Sequence, residues 1–147
     1  MDTDRDIATL NSLIETTLDS ADGYEQAATI EKVGDLAQTF RQFASERRSI
    51  VADLRSHVVR LGGKPENDGS LLAAAHRQFL NLRSAFDADT RTAINEVERG
   101  EDYIKGKYEA ALREDLSPDV RSAVQRAYES VRAGHDTFSA MKKSYAA

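Results

Sequence analysis

Apolar residues recur every three or four positions along most of the chain, which is the spacing of one buried face of an α-helix. Four such runs stand out, at 7–28, 36–61, 94–111 and 120–141. No segment alternates apolar and polar residues in the manner of a half-buried strand. The pattern therefore predicts four long helices, each of about 25 residues and roughly 37 Å in length.

The residues at the ends of these runs are typical helix boundaries. Thr3 or Asp4 can cap the first helix, and the stretch around Gly34 interrupts the pattern before the second. Gly62 and Gly63 end the second helix by the left-handed route. Further along, Asp87 or Asp89 can cap the third helix, and Ser117 followed by Pro118 predicts a capped start for the fourth.

A crossover of roughly 25 residues separates the second and third long helices. It opens with the loop GGKPENDG at 62–69, which we expect to be exposed, and continues in a shorter helix from about Ser70. The apolar stripe of that helix is Leu72, Ala75, Phe79, Leu82 and Phe86. Short loops within each pair of long helices, and a long crossover between the pairs, predict a ferritin-like four-helix bundle formed as one domain over 1–147.

Charged residues interrupt the apolar stripes where apolar side chains belong. Arg47, Glu101 and His135 occupy buried-face positions, and level-matching of the helices brings them close to Glu98 near the middle of the bundle. Buried charges are costly unless they pair with one another or bind a metal. One interpretation is a buried network in which Arg47 pairs with Glu98 or Glu101, completed by His135. The other is a metal site formed by Glu98, Glu101 and His135.

The residue spacing favours the ion-pair interpretation. A di-iron bundle takes a Glu-x-x-His motif from each of two helices. Here Ser49 stands three residues after Glu46, and Arg132 stands three residues before His135. We therefore expect no cofactor, with iron or manganese at Glu98, Glu101 and His135 as the alternative. Two further candidates are Glu46, which flanks Arg47, and His76, which either bonds to the bundle or faces water.

Composition and charge narrow the possible functions. The net charge is −5, so nucleic-acid or anionic-membrane binding has no general electrostatic support, although arginines concentrate on the second helix. The chain has no cysteine, which excludes disulfides, thiolate metal sites and a cysteine nucleophile. Neither a signal peptide nor a membrane-length apolar run is evident, so we expect a cytoplasmic location.

Several segments resemble, in the same order, a bacterial family of unknown function within the ferritin-like superfamily. They are LNSLIETTLDSADGY at 10–24, LGGKPE at 61–66, GSLLAAAHRQF at 69–79, EVERGEDYIKGKYEAAL at 96–112 and HD at 135–136. The resemblance covers nearly the whole chain and implies a four-helix bundle with a crossover helix. It implies little about function, because fold analogy alone does not assign one.

The sequence leaves two hypotheses for function. The first is an accessory or stress-related interaction protein without a catalytic role, which forms a homo-oligomer and binds neither nucleic acid nor membrane. The alternative is a metal-binding or redox protein that uses the carboxylates and histidine of the bundle.

Overall fold

The computed structural model describes residues 2–67 and 72–146, apart from the side chains of 72–76, 78–79, 145 and 146. All regular structure within these residues is helical, so the prediction of an all-helical chain is confirmed for them. The five α-helices are α1 (Thr3–Ala27), α2 (Leu36–Arg60), α3 (Leu72–Ala88), α4 (Thr90–Leu112) and α5 (Pro118–Ala146). A single 3-10 turn, Glu31–Val33, lies between α1 and α2. No helix in the part described is long and apolar enough to cross a membrane.

Three helix ends follow local rules, one of them at a different residue from that expected. The cap of α1 is Asp2, rather than Thr3 or Asp4, because the Asp2 carboxylate accepts from the backbone N–H groups of residues 4 and 5. Asp89 caps α4 through a 2.6 Å bond from the Thr92 N–H, as predicted. After α2, Gly62 has φ +83° and the N–H of Gly63 bonds to the Val58 carbonyl at 3.0 Å, which is a Schellman ending.

The start of α5 departs from the expected serine cap. Pro118 is the first residue of the helix, as predicted, but the Ser117 hydroxyl donates to Asp6 Oδ2 at 2.7 Å. Asp6 is 2% exposed, and the Ser117 N–H also points to its Oδ1 at 3.4 Å. The serine is engaged by α1 because α1 and α5 begin at the same end of the molecule.

The long helices pack as two antiparallel hairpins, α1 with α2 and α4 with α5. Contacts between the hairpins fix their direction, since Thr17 meets Tyr108 and Tyr24 meets Glu101, so α1 and α4 run in opposite directions. The third helix, α3, lies against α1 and α4 and carries the chain back to the opposite end of the molecule. Its expected beginning at Ser70 lies outside the described residues.

Apolar side chains form two clusters, one towards each end of the long helices. The cluster near the start of α1 contains Leu10, Ile14, Leu54 and Val124, together with neighbouring side chains of the same helices. The other is rich in aromatic rings and includes Tyr24, Phe40, Phe86 and Phe138. Polar side chains lie between the two clusters, and they form the site described below.

The first part of the 62–69 loop is held more firmly than its composition suggests. Asn11 on α1 donates from Nδ2 to the Lys64 carbonyl at 3.0 Å and accepts from the Glu66 N–H at 2.8 Å. Arg55 on α2 donates to the carbonyls of Glu66 and Asn67. A Cβ at Gly63 would lie 2.9 Å from the Ile7 side chain, so the loop backbone contacts α1 directly. Residues 62, 64 and 67 are exposed, as predicted, whereas residues 63, 65 and 66 are partly covered, and residues 68 and 69 lie outside the described part.

We predict that Asn11→Ala releases this segment. The substitution removes two hydrogen bonds to the loop backbone, which should cost about 1–2 kcal/mol. Limited proteolysis with a protease of broad specificity should cut within 63–67 faster in the variant than in the wild type. Ser12→Ala, on the exposed side of the same helical turn, is the control. Equal cutting rates in Asn11→Ala and the control would contradict the role of Asn11.

Candidate functional site

A bidentate ion pair lies in the polar layer between the two apolar clusters. Arg47 Nη1 donates to Glu101 Oε2 at 3.0 Å, and Arg47 Nη2 donates to Glu101 Oε1 at 2.8 Å. The side chains are 0% and 2% exposed respectively. Parallel N–H···O bonds between a guanidinium and a carboxylate are the strongest form of this contact, because both charges and both planes are matched.

Other side chains complete the hydrogen bonding of the pair. Tyr24 donates its hydroxyl to Glu101 Oε1 at 2.7 Å, and Arg47 Nη1 also donates to the Ser20 hydroxyl at 2.8 Å. The rings of Tyr24 and Phe43 flank the guanidinium, with centroids 5.7 and 5.9 Å from Cζ. Among the described buried side-chain atoms, Arg47 Nε is the one without a hydrogen-bond partner.

Burial and charge act in opposite directions on the groups of this site. Burial lowers the pKa of the Arg47 guanidinium, but the charge and hydrogen bonds of Glu101 outweigh it, so the pKa stays above its ordinary value. Burial, followed by the negative charge of Glu101, raises the pKa of Tyr24 well above its ordinary value. Tyr24 therefore stays protonated and acts as a donor to the carboxylate.

Gly134 on α5 lies directly against the ion pair, which is possible because glycine has no side chain. A Cβ there would lie 2.6 Å from Arg47 Nη2 and 3.0 Å from both Glu101 Oε1 and Phe43 Cε1. The guanidinium occupies the space that a larger residue would fill. This close approach explains why α5 carries a glycine in its interior, where glycine costs about 1 kcal/mol relative to alanine.

A second polar contact, between Thr17 and Tyr108, lies nearer the start of α1 than the contact between Tyr24 and Glu101. The hydroxyls of Thr17 and Tyr108 are 2.8 Å apart, and Thr17 Oγ1 also donates to the Leu13 carbonyl at 2.6 Å. Burial raises the pKa of Tyr108 to about 12. Since the Thr17 hydroxyl donates to Leu13, Tyr108 is left to donate to Thr17, and the contact is satisfied without a charge.

The structure brings Arg47 and Glu101 together but places the other two members of the expected network elsewhere. Glu98 accepts from Lys142 Nζ of α5 at 3.0 Å, and its side chain is 13% exposed. His135 Nε2 lies 2.6 Å from Asp102 Oδ1, and the histidine side chain is 17% exposed. Each differs from its expected position because a helix turns about 100° per residue. Glu98 and His135 therefore lie on the flanks of the buried stripe rather than at its centre.

The two remaining candidates do not enter the site. Glu46 is exposed on α2, although its neighbour Arg47 is buried. The side chain of His76 lies outside the described residues. The arginines of α2 are largely engaged within the chain: Arg48 bonds to Asp22 and Glu25, and Arg55 to the loop backbone.

The ligands that a di-iron centre needs do not converge here. Both oxygens of Glu101 accept from Arg47, and Glu98 and His135 have separate partners. Among the side chains that the structure describes, which do not include that of His76, no group of three His, Asp or Glu residues is arranged to hold a metal ion. A guanidinium at the centre of the site also opposes a cation by like charge. The residues present therefore do not fit a di-iron group.

Sequence reasoning missed four residues that matter here. Ser20 lies just outside the predicted stripe of α1, and Asp102 is the exposed neighbour of buried Glu101. Gly134 has no side chain, so apolar periodicity gives it no role. Buried Asp6 follows the cap of α1 and carried no signal, because acidic residues are common in the first turn of a helix. The partner of each lies in a segment distant in sequence, so it could not be read from the residue's own segment.

The fold and the site together define an all-helical protein whose polar centre is a buried ion pair. Residues 5–114 match the family model described as "Domain of unknown function (DUF2383)". The chain belongs to this family. No curated protein matches it.

We predict that Arg47→Ala destabilises the protein by about 3–5 kcal/mol, because Glu101 would remain buried without a partner. Arg48→Ala is the matched control on the neighbouring position. Its ion pairs with Asp22 and Glu25 are about half exposed and should contribute only about 0–1 kcal/mol. Chemical denaturation followed by circular dichroism measures both. Equal, small effects would show that Arg47 is not buried in an ion pair.

We also predict opposite effects for two helix glycines. Gly134→Ala should destabilise, because the new Cβ collides with Arg47 and Glu101. Gly106→Ala on α4 should stabilise by up to about 1 kcal/mol, since nothing lies within 4 Å of a Cβ there. Thermal denaturation of the two variants gives the signs. A stabilising Gly134→Ala would mean that α5 does not approach the ion pair closely.

Proposed function

We propose that this chain is a ferritin-like four-helix-bundle protein that forms a homo-oligomer and acts as an accessory interaction protein rather than an enzyme. The connectivity supports the fold assignment. Two antiparallel hairpins are joined by a crossover with its own helix, and α1 and α5 begin at the same end. These are the features that distinguish ferritin-like bundles from bundles whose connections are all short.

The observation that carries the proposal is the bidentate Arg47–Glu101 pair. In metal-binding bundles, carboxylates from facing helices point inward and take up a cation at mid-height. Here the inward carboxylate is neutralised by a fixed guanidinium and bonded to a tyrosine. The charged and hydrogen-bonding groups at the centre of the bundle are thus bonded to one another. This favours a function at the outer surface.

The surface offers some support for an interaction role. Val59, Leu80 and Tyr103 are large apolar or aromatic side chains that are 46–62% exposed, on three different helices. Lys107 Nζ lies 5.5 Å from the centroid of the Tyr103 ring. Exposed tyrosines are enriched in protein interfaces, because the ring supplies contact area at little entropic cost. We also propose a stress-related role and a cytoplasmic location, the first from the sequence resemblance and the second from the composition.

We predict that metal-free protein titrated with iron or manganese takes up no stoichiometric pair of ions. Wild type, Glu101→Gln and His135→Ala should give the same result by elemental analysis after desalting, because Glu101 is already paired. Asp115→Asn, exposed in the turn between α4 and α5, is the matched control. Light scattering on the same samples should give the mass of two or more chains.

Two results would contradict the proposal. Two metals per chain in wild type and Asp115→Asn, lost in Glu101→Gln and His135→Ala, would establish the metal-binding alternative. A chain that stays monomeric over a wide range of concentration would contradict the proposed homo-oligomer.

A further inference from the structure

His135 on α5 has a carboxylate oxygen at each ring nitrogen. Nε2 lies 2.6 Å from Asp102 Oδ1 on α4, and Nδ1 lies 3.3 Å from Asp136 Oδ1 on α5. The two aspartates are 59% and 69% exposed, while the imidazole is mostly covered. The ring is thus held in the seam between two helices, with acceptors on both sides.

The chemistry of these contacts depends on the proton content of the ring. An ionised carboxylate is an acceptor only, and a neutral imidazole carries one N–H and one lone pair. One of the two contacts would then set a lone pair against a carboxylate. Both contacts are attractive only when the ring carries both protons. We propose that Asp102, His135 and Asp136 form a proton-dependent clasp between α4 and α5.

The clasp lies next to the buried ion pair. Asp102 follows Glu101, and His135 follows Gly134, so the clasp lies directly outside the place where α5 approaches the buried ion pair. The nearby charged groups have partners of their own. Glu98 of α4 pairs with Lys142 of α5, and Arg132 pairs with Glu129 within α5. Arg47 of α2 pairs with Glu101. Asp102 and Asp136 are therefore the carboxylates that face the imidazole.

The direction of the pH effect follows from the charges. The attraction exists while His135 is charged and Asp102 is ionised, so it is present in mildly acidic solution. It is lost as the pH rises and the imidazole gives up its proton. The α4–α5 seam should therefore be tightest in mild acid.

The test is a titration of the imidazole nitrogens by ¹⁵N NMR in the full chain, with His135→Gln used to assign the resonances. Asp102→Asn removes the main carboxylate at an exposed position and should lower the titration midpoint of His135 below that of the wild type. Glu98→Gln, which alters the neighbouring α4–α5 ion pair instead, should leave the midpoint unchanged. Equal midpoints in wild type and Asp102→Asn would overturn the proposal.

A second measurement reports on the helices rather than on the ring. Amide hydrogen exchange near Gly134, compared between wild type and Asp102→Asn at matched pH, should show about two- to fivefold greater protection in the wild type in mild acid. This ratio should approach one above neutral pH. A ratio that is the same at every pH would show a contact independent of the proton, and would also overturn the clasp.

Discussion

The structure depends on keeping two opposite charges together away from water. Arg47 and Glu101 are fixed by each other, by Tyr24 and by Ser20. Four features of the structure are built around this pair. They are the glycine at 134, the aromatic rings beside the guanidinium, the division of the apolar core into two clusters and the alignment of α1 with α4. Replacing both members of a buried pair by apolar residues is often neutral or stabilising, whereas removing one member is not. The pair therefore acts mainly by specifying which arrangement of helices is tolerated.

The fold was predictable from periodicity because each helix buries a stripe that its own sequence displays. The helix ends at Gly62, Asp89 and Pro118 were also local, and they lie where the sequence placed them. Asp2 and Ser117 differed from expectation because a cap competes with tertiary partners and with neighbouring acidic residues. The anchoring of the loop at 63–66 was not predictable, because Asn11 and Arg55 lie on helices outside the loop's own segment.

The site was predictable only in its centre. A charged residue in the middle of an apolar stripe is recognisable from the sequence as a buried charge. Arg47 and Glu101 could be predicted for this reason. Residues on the edge of a stripe are different, since a rotation of a few tens of degrees decides whether they point inward or across a seam. His135 and Glu98 were placed inside on this account and lie at the α4–α5 seam, with Asp102 and Lys142 as partners. Single-sequence periodicity does not resolve such angles.

The sequence separation of the central contacts bears on how the chain reaches this state. The α1–α2 and α4–α5 hairpins join helices that are neighbours in the chain, so each can form by local encounter. Three polar contacts of the central layer instead join the two hairpins, with separations of 54, 77 and 91 residues for Arg47–Glu101, Tyr24–Glu101 and Thr17–Tyr108. Such contacts form late, because loop closure must precede them. Hairpins docked out of register by one turn would bury the arginine and the glutamate apart from each other. Such arrangements would leave a buried charge without its partner, so the ion pair favours one register of the two hairpins over its neighbours.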